Sequence, residues 1–243
     1  MKKALFALLL MPVLSWGQFN QLVKNTTKQV MPGKTTESSG SLDIAAGLKE
    51  ALQNGISKQV SLLTAEDGFL KNDLVKIPFP GELQKVSSTL NSLGLSNLTN
   101  EGIKTMNRAA ELAVKEATPV FVEAIKNMSF ADAKSILMGN KTEATTYLQK
   151  STSTPLYAKF KPVVQQANGK AGADKAWNAI ISKYNSVPMV SKVNPDLNDY
   201  VTQKTLEGVF KMIAVEETKI RESSSSRSSD LLQKVFALQD KKY

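Results

Sequence analysis

The sequence contains no histidine and no cysteine among its 243 residues, and these absences exclude most familiar catalytic centres. Nucleophilic catalysis by a Ser-His-Asp or Cys-His arrangement requires residue types that the chain lacks. Zinc sites of imidazole or thiolate are excluded for the same reason, as are haem and iron–sulfur clusters bound through these side chains. Phosphate-binding glycine motifs and the G-x-S-x-G elbow are also missing. We therefore assign no catalytic residue, no metal ligand and no cofactor.

The N-terminus has the pattern of a secretory signal peptide. Lys2 and Lys3 give it a positive start, residues 4–14 form an apolar run, and Ser15 and Gly17 supply small residues at the two positions that a signal peptidase inspects. A spanning helix needs about 20 apolar residues, so this run is too short for a membrane anchor. We predict a signal peptide over residues 1–17. The mature protein is expected to be exported, periplasmic or secreted, and not transmembrane after cleavage.

The chain carries a net charge of +9, of which two lysines leave with the predicted signal peptide, so that +7 remains. Its lysines are spread along the chain without a block of five like charges, which is typical of a solvated helical surface. Attraction to an anionic membrane surface or another polyanion is the alternative interpretation. Nucleic acid is not predicted as a partner, because no basic stripe with interleaved aromatic residues occurs.

Helical periodicity dominates the sequence after a polar N-terminal segment. From Ser41 onward apolar residues recur every three or four positions, and no segment shows the alternation of a strand. We predict an all-α fold, with residues 18–40 as a flexible mature N-terminus. Residues 41–243 are predicted as a single helical domain of about eight to ten helices, several of them short. Gly47 and Gly55 lie in the first helix, where we expect another helix to approach closely.

An extended segment interrupts the helical pattern. Residues 67–69 form a turn signal, and residues 74–80 cannot be helical through Pro78 and Pro80. We predict that residues 74–80 run extended, either across the surface or into a groove between helices. A further helix with inward-facing apolar residues is predicted over residues 81–93.

Caps and prolines predict the ends of several later helices. Ser129 and Asp132 have the spacing of a capping box. Residues 142–150 are predicted as a short helix of their own, separate from the apolar pattern that follows. Asn194 is predicted to cap the last long helix, with Pro195 at its first helical position.

Several segments of the chain resemble one known protein family. They are residues 67–70, 74–78, 105–111, 132–137, 200–204, 212–214 and 231–232. In these segments the chain is similar to the domain of unknown function 4197 (DUF4197) family, and the likeness covers about residues 42 to 238. The resemblance implies a bacterial, exported, helical protein. It implies no reaction, ligand or functional residue.

Carboxylates are the remaining side chains that could take part in catalysis or bind a metal ion. Asp196 and Asp199 are three apart on a helix and have the ligand type for Ca²⁺ or Mg²⁺. Compensation of the helix dipole is the favoured interpretation, because both lie in a predicted first turn. Glu216 and Glu217 are adjacent, point in different directions, and are predicted to pair with nearby bases such as Arg221 or with solvent.

Two polar clusters supply the candidate ligand-binding residues. They are Asn107, Arg108 and Glu111 on one helix, and Tyr200, Gln203 and Lys204 on another. Arg108 lies on a helix face of small residues, so it either ties two helices through a carboxylate or anchors a ligand carboxylate or phosphate. The second cluster is either a solvated face or a binding stripe.

Three functional hypotheses are compatible with these features. The preferred one is an exported, non-enzymatic binding or scaffolding protein whose partner is an apolar or amphipathic ligand, or an envelope protein. The second is a histidine-free hydrolase or lyase that uses two carboxylates on an envelope glycan. The third is an envelope-associated protein whose basic surface binds an anionic lipid or polymer.

Overall fold

The computed structural model describes residues 38–81, 96–186, 188–189 and 191–240, which fold into helices and connecting turns. The α-helices are α1 (Ser38–Thr64), α2 (Ser96–Ala113), α3 (Ala117–Lys126), α4 (Phe130–Met138), α5 (Glu143–Lys170), α6 (Ala173–Asn185), α7 (Leu197–Glu222) and α8 (Asp230–Asp240). Short 3₁₀ turns join α2 to α3 and α7 to α8. These described ranges contain no strand. The predicted all-α fold is therefore confirmed.

The chain divides into the units Met1–Ser39 and Gly40–Tyr243. The predicted signal peptide, residues 1–17, lies outside the described residues, as do residues 82–93 of the helix predicted over residues 81–93. Helix α1 begins at Ser38, three residues before Ser41, where the helical pattern was predicted to start. All but the first two residues of α1 therefore belong to the larger unit, Gly40–Tyr243.

Helices α5 and α7 form the centre of the larger unit. They pack against each other, and each also contacts α2 and α6. The largest fully buried side chains include Phe69, Phe121 and Phe160, and a continuous set of buried apolar residues connects them. The core is thus built from the apolar stripes that predicted the helices, which is the usual source of helix stability in proteins.

Helix α5 differs from the prediction, because it continues from Glu143 to Lys170 through Pro155 and Pro162. The prediction of a separate helix over residues 142–150 is wrong. An internal proline costs a helix about 3 kcal/mol, since it removes a hydrogen bond and crowds the preceding turn. Both prolines are exposed, so water can reach the carbonyls they leave free. Burial of one apolar stripe along the full helix outweighs their cost.

Helix–helix approaches at the two glycines of α1 were predicted, and both face another helix. A Cβ atom at Gly47 would lie 2.5 Å from Val235 Cγ2 on α8, so this contact requires glycine. A Cβ atom at Gly55 would lie 3.6 Å from Glu216 Cγ on α7, which is an ordinary contact distance. The close approach is therefore confirmed at Gly47.

The ends of α4 and α7 show which capping predictions were right. Ser129 and Asp132 form the predicted capping box, with Ser129 N–H donating to Asp132 Oδ2 at 2.9 Å. Helix α7 begins at Leu197, and its cap is Asp196 rather than Asn194. Asn194 Oδ1 instead accepts the Asp196 N–H at 2.9 Å, which moves the helix start beyond Pro195.

Candidate functional site

Residues 74–80, hereafter the strap, lie against α2. The predicted extended course holds for residues 76–80, whereas residues 73–75 form a turn in which the Val75 and Lys76 N–H groups donate to Asn72 O at 3.0 Å and 2.8 Å. Val75 and Ile77 of the strap are buried, and so is Asn107 on α2. The Ile77 N–H donates to Asn107 Oδ1 at 2.9 Å, and Asn107 Nδ2 donates to Ile77 O at 2.9 Å and to Ile103 O at 2.8 Å. One amide thus satisfies both backbone groups of Ile77 and fixes the register of the strap.

Two glycines make room for the strap. A Cβ atom at Gly208 on α7 would lie 3.3 Å from Val75 Cβ and 2.9 Å from Phe69 Cε1. A Cβ atom at Gly102 on α2 would lie 3.0 Å from Phe79 Cζ. Larger residues at either position would press against the strap or the turn before it. Of the two alternatives for the extended segment, the structure selects the groove between helices.

Glu111 holds the turn that leads into the strap. Its carboxylate is buried, and Oε1 accepts the N–H groups of Phe69 at 3.1 Å and Leu70 at 3.4 Å. The other oxygen, Oε2, accepts from Arg108 Nη1 at 2.6 Å. Asp67 in the same turn has a φ of +66°, a left-handed conformation that needs such outside support. Glu111 therefore stabilises the backbone conformation of this turn.

Arg108 connects α2 to the same turn through further carboxylates. Its Nη2 donates to Asp67 Oδ1 at 2.6 Å and to Glu66 Oε1 at 3.2 Å, in addition to the bond to Glu111. The hydrogen bond to Glu111, together with the nearby charges, raises the pKa of Arg108. The pKa of Asp67 is lowered, first by its hydrogen bond from Lys71 and then by Arg108. These contacts tie two segments together, and a ligand-anchoring role for Arg108 stays a prediction.

Tyr200 on α7 contacts the strap from the other side. Its hydroxyl donates to Pro78 O at 2.9 Å. Its ring stacks on Trp177 at 5.9 Å between centroids, and Trp177 stacks on Phe79 of the strap at 6.0 Å. The structure thus brings Tyr200 and Asn107, from two different predicted clusters, to one segment of backbone.

Gln203 and Lys204 lie one turn further along α7 and contact other groups. Gln203 Nε2 donates to Asp199 Oδ2 at 2.9 Å, and Lys204 Nζ lies 2.6 Å from Glu207 Oε2. Both pairs are within one turn of the helix and are partly or fully exposed. Such surface pairs contribute at most about 1 kcal/mol. A binding role for Gln203 and Lys204 stays a prediction.

Asp199, in the first turn of α7, accepts hydrogen bonds from several parts of the chain. Tyr157 on α5 donates its hydroxyl to Asp199 Oδ1 at 2.5 Å, and Gln203 and Asn194 donate to Oδ2. Burial alone would raise the pKa of Asp199, but these hydrogen bonds outweigh it and hold the pKa below its ordinary value. The same bond raises the pKa of Tyr157. Asp199 is therefore a charged acceptor that joins α5 to α7.

A buried charged cluster at the end of α7 was not among the predicted sites. Its members, hereafter the charged hub, are Glu217, Arg221, Arg227 and Asp240. Glu217 is 8 % exposed, and its carboxylate accepts the N–H groups of Ala144 at 2.9 Å and Thr145 at 2.8 Å. These residues lie in the first turn of α5, whose own N-cap residue, Thr142, makes no side-chain capping bond. Glu217 therefore caps α5 from a neighbouring helix.

The two arginines of the charged hub cap further helix ends. Arg221 donates Nε and Nη2 to Glu217 Oε1 at 2.9 Å and 2.8 Å, so the predicted pairing of Glu217 with Arg221 is present. It also donates to Ile136 O at 2.7 Å and Leu137 O at 3.2 Å, at the C-terminal end of α4. Arg227 donates to the last carbonyls of α7, Ile220 O and Arg221 O, both at 3.1 Å.

A cleft lined mostly by apolar side chains adjoins the charged hub. Its walls are Leu48, Ala51, Leu52, Gly55 and Ile56 of α1, Ala144 of α5, Ile213, Glu216, Glu217, Ile220 and Arg221 of α7, and Phe236 of α8. The Glu216 carboxylate in its wall is paired with Lys58 Nζ at 2.6 Å and accepts from Gln59 Nε2 at 3.0 Å. The cleft offers about 30 Å³ of free space, room for about two waters. A larger ligand therefore requires one wall to move.

A protein-family model covers the strap, the cleft and most of the charged hub. The model of the family described as "Protein of unknown function (DUF4197)" matches residues 38–237. The chain belongs to the DUF4197 family. No curated protein and no solved structure matches it. The resemblance seen in the sequence is thereby confirmed.

Metal-binding and membrane-spanning features are both missing from the described part of this DUF4197 protein. There, no three acidic side chains are grouped to hold a metal ion. Asp196 caps α7 through the N–H groups of Asn198 and Asp199, in keeping with the dipole interpretation. No described helix combines the length and the apolar character needed to cross a membrane.

The sequence of this DUF4197 protein contains a pattern from which part of the charged hub could have been predicted. Glu217 stands four residues after Ile213 and three before Ile220, so it occupies a position in the apolar stripe of α7. A carboxylate at such a position is buried and requires a partner. Arg221, one turn later, is the partner that the helix itself supplies.

Proposed function

We propose that this DUF4197 protein is an exported, non-enzymatic helical module that binds an apolar or amphipathic ligand between its helices. Export is inferred from the signal-like pattern of residues 1–17. The observation that carries the rest is the apolar cleft against α1, where aliphatic side chains of α1 and α7 and the ring of Phe236 face shared free space. Concave apolar sites with few polar groups are typical of small-molecule binding.

The buried carboxylates support a non-enzymatic role. Glu111, Glu216 and Glu217 are each in an ion pair with a lysine or arginine, and each also accepts hydrogen bonds from amide or side-chain N–H groups. A carboxylate whose oxygens are already occupied by a cation and by N–H donors is not free to contact a substrate. The alternative of a two-carboxylate hydrolase requires two available carboxylates in a substrate cleft, whereas the two that line this cleft, Glu216 and Glu217, are paired with Lys58 and Arg221.

The binding proposal is tested with an uncharged apolar fluorophore, N-phenyl-1-naphthylamine, titrated into the mature protein. We expect saturable fluorescence enhancement at one site. Gly55→Leu places a side chain in the cleft and should abolish the enhancement. Gly169→Leu is the matched control, because a Cβ atom at Gly169 on α5 would meet nothing within 4 Å. Thermal melts of both variants check that they fold.

Three results would contradict the proposal. Equal enhancement in the folded Gly55→Leu and Gly169→Leu variants would place the fluorophore outside the cleft. Release of reducing sugars from envelope glycans by the purified protein would favour the hydrolase instead. Binding to anionic vesicles that weakens steeply with salt, with no response to the fluorophore, would favour the basic-surface hypothesis.

A further inference from the structure

Helix α8 forms one wall of the cleft and also contacts the charged hub. Leu232, Val235 and Phe236 are its buried face, and Phe236 lines the cleft. The Phe236 ring centroid lies 5.5 Å from Arg227 Cζ and 5.8 Å from Arg221 Cζ. Phe236 thus lines the apolar cleft and also contacts two buried guanidinium groups.

Two arginines hold α8 through polar contacts: Arg221 Nη1 donates to Gln239 Oε1 at 3.1 Å, and Arg227 binds the carboxylate of Asp240. Arg227 Nη1 and Nη2 donate to the two oxygens of Asp240 at 2.6 Å and 2.9 Å. The Arg227 side chain is 5 % exposed, whereas that of Asp240 is 51 % exposed. The hydrogen bonds from Arg227 lower the pKa of Asp240, so the pair is ionised at neutral pH. A buried guanidinium with a half-exposed carboxylate can exchange that carboxylate for another of the same geometry.

The connection between α7 and α8 is a short irregular segment in which the Arg227 side chain is held against the end of α7. Residues 223–229 are rich in serine and form a single 3₁₀ turn at Ser224–Ser226. Such short irregular segments can absorb the backbone rotation of a hinge. Movement of α8 would take Phe236 out of the cleft wall and Asp240 off Arg227 in one step.

We infer that α8 is a lid, and that the cleft beneath it binds a single-chain amphipathic carboxylate. The alkyl chain takes the space that Phe236 fills in the closed form, against Leu48, Leu52 and Ile220. The carboxylate of the ligand takes the place of Asp240 on Arg227. The free volume of the cleft is then small because α8 is in its closed position. This inference rests on the proposed function, and it names the ligand class and the site.

The test is isothermal titration of decanoate into the mature protein and one charge variant. Asp240→Asn removes the internal carboxylate that competes for Arg227, and decanoate should bind about fivefold tighter, as expected for a partly exposed ion pair worth about 1 kcal/mol. Glu101→Gln is the control, because it makes the same charge change at an exposed ion pair on α2. Decanoate should bind Glu101→Gln as it binds the wild type. If Asp240 were only structural, its loss would bring no gain in affinity.

A second variant and a second ligand complete the test. Arg227→Gln, if it melts cooperatively, should lose decanoate binding. Asp240→Asn binding no tighter than Glu101→Gln would overturn the inference, and so would wild-type affinity in folded Arg227→Gln. If the naphthylamine binds the wild type but decanoate does not, the lid inference fails while the proposed function stands. If neither binds, both fail.

Discussion

Removal of the Glu217 carboxylate should strongly destabilise the fold. Glu217 accepts the first N–H groups of α5 and neutralises Arg221, and both residues are buried. Glu217→Ala leaves a buried guanidinium without its counter-charge and the start of α5 without a cap. Arg221 would still donate to two carbonyls of α4 and to Gln239 Oε1 of α8, but three neutral acceptors do not replace a carboxylate.

The expected magnitude depends on the burial of the pair. Breaking a buried ion pair by removing one partner costs about 3–5 kcal/mol, because the other charge stays desolvated. This is a large part of the total stability of about 5–15 kcal/mol of a typical domain. For a domain of this size, each kcal/mol lowers Tm by about 2–4 °C, so Glu217→Ala should lower Tm by about 6–20 °C. Glu217→Gln keeps an acceptor for the α5 N–H groups and should cost less.

The assay is urea unfolding followed by circular dichroism, with thermal melts as a second measurement. Glu222→Ala is the matched control, because Glu222 lies on the same helix, is half exposed and pairs with an exposed lysine side chain. It should change the free energy of unfolding by about 0.5 kcal/mol or less. A cost below about 1 kcal/mol for Glu217→Ala would refute the argument that the charged hub holds helix ends together.

The remaining predictions concern the strap, α1 and the start of α7. Asn107→Ala leaves the buried Ile77 backbone without its side-chain partners and should cost about 2–4 kcal/mol in urea unfolding, whereas Asn127→Ala, at an exposed site, should cost little. Gly47→Val should lower Tm by several degrees through its clash with α8, and unchanged Tm would contradict the close approach. The pKa of Asp199 is lowered on folding, so its contribution is present at neutral pH and is lost as the pH falls through the folded value. When the free energy of unfolding is measured at decreasing pH, it should fall less in Asp199→Asn than in the wild type. Equal decreases in the two proteins would contradict this prediction.

Local signals predicted the fold well where the cause of the structure is local. The capping box at Ser129 and Asp132 is such a case, because both hydrogen bonds form within one turn. The prediction failed where distant contacts decide. A proline is read as a helix break from its neighbours alone, yet α5 passes through Pro155 and Pro162 because its buried face packs against α7.

The candidate site shows the same division between local and distant causes. Arg108 and Glu111 were selected for their spacing, and the structure does pair them at 2.6 Å. Their main contacts, however, are with a turn about 40 positions earlier in the chain, which no local pattern shows. The bond between Arg227 and Asp240 was missed because most of a helix separates the two residues and neither lies in a recognisable motif.

The most direct test of the proposed function is native mass spectrometry of the protein, purified gently from the cells that produce it. The account predicts a chain that begins at Gln18 and carries a reproducible extra mass, which leaves on denaturation and belongs to an apolar or amphipathic molecule. A bare chain under conditions that preserve the fold would contradict the binding module. A chain that retains residues 1–17 would contradict export by signal cleavage.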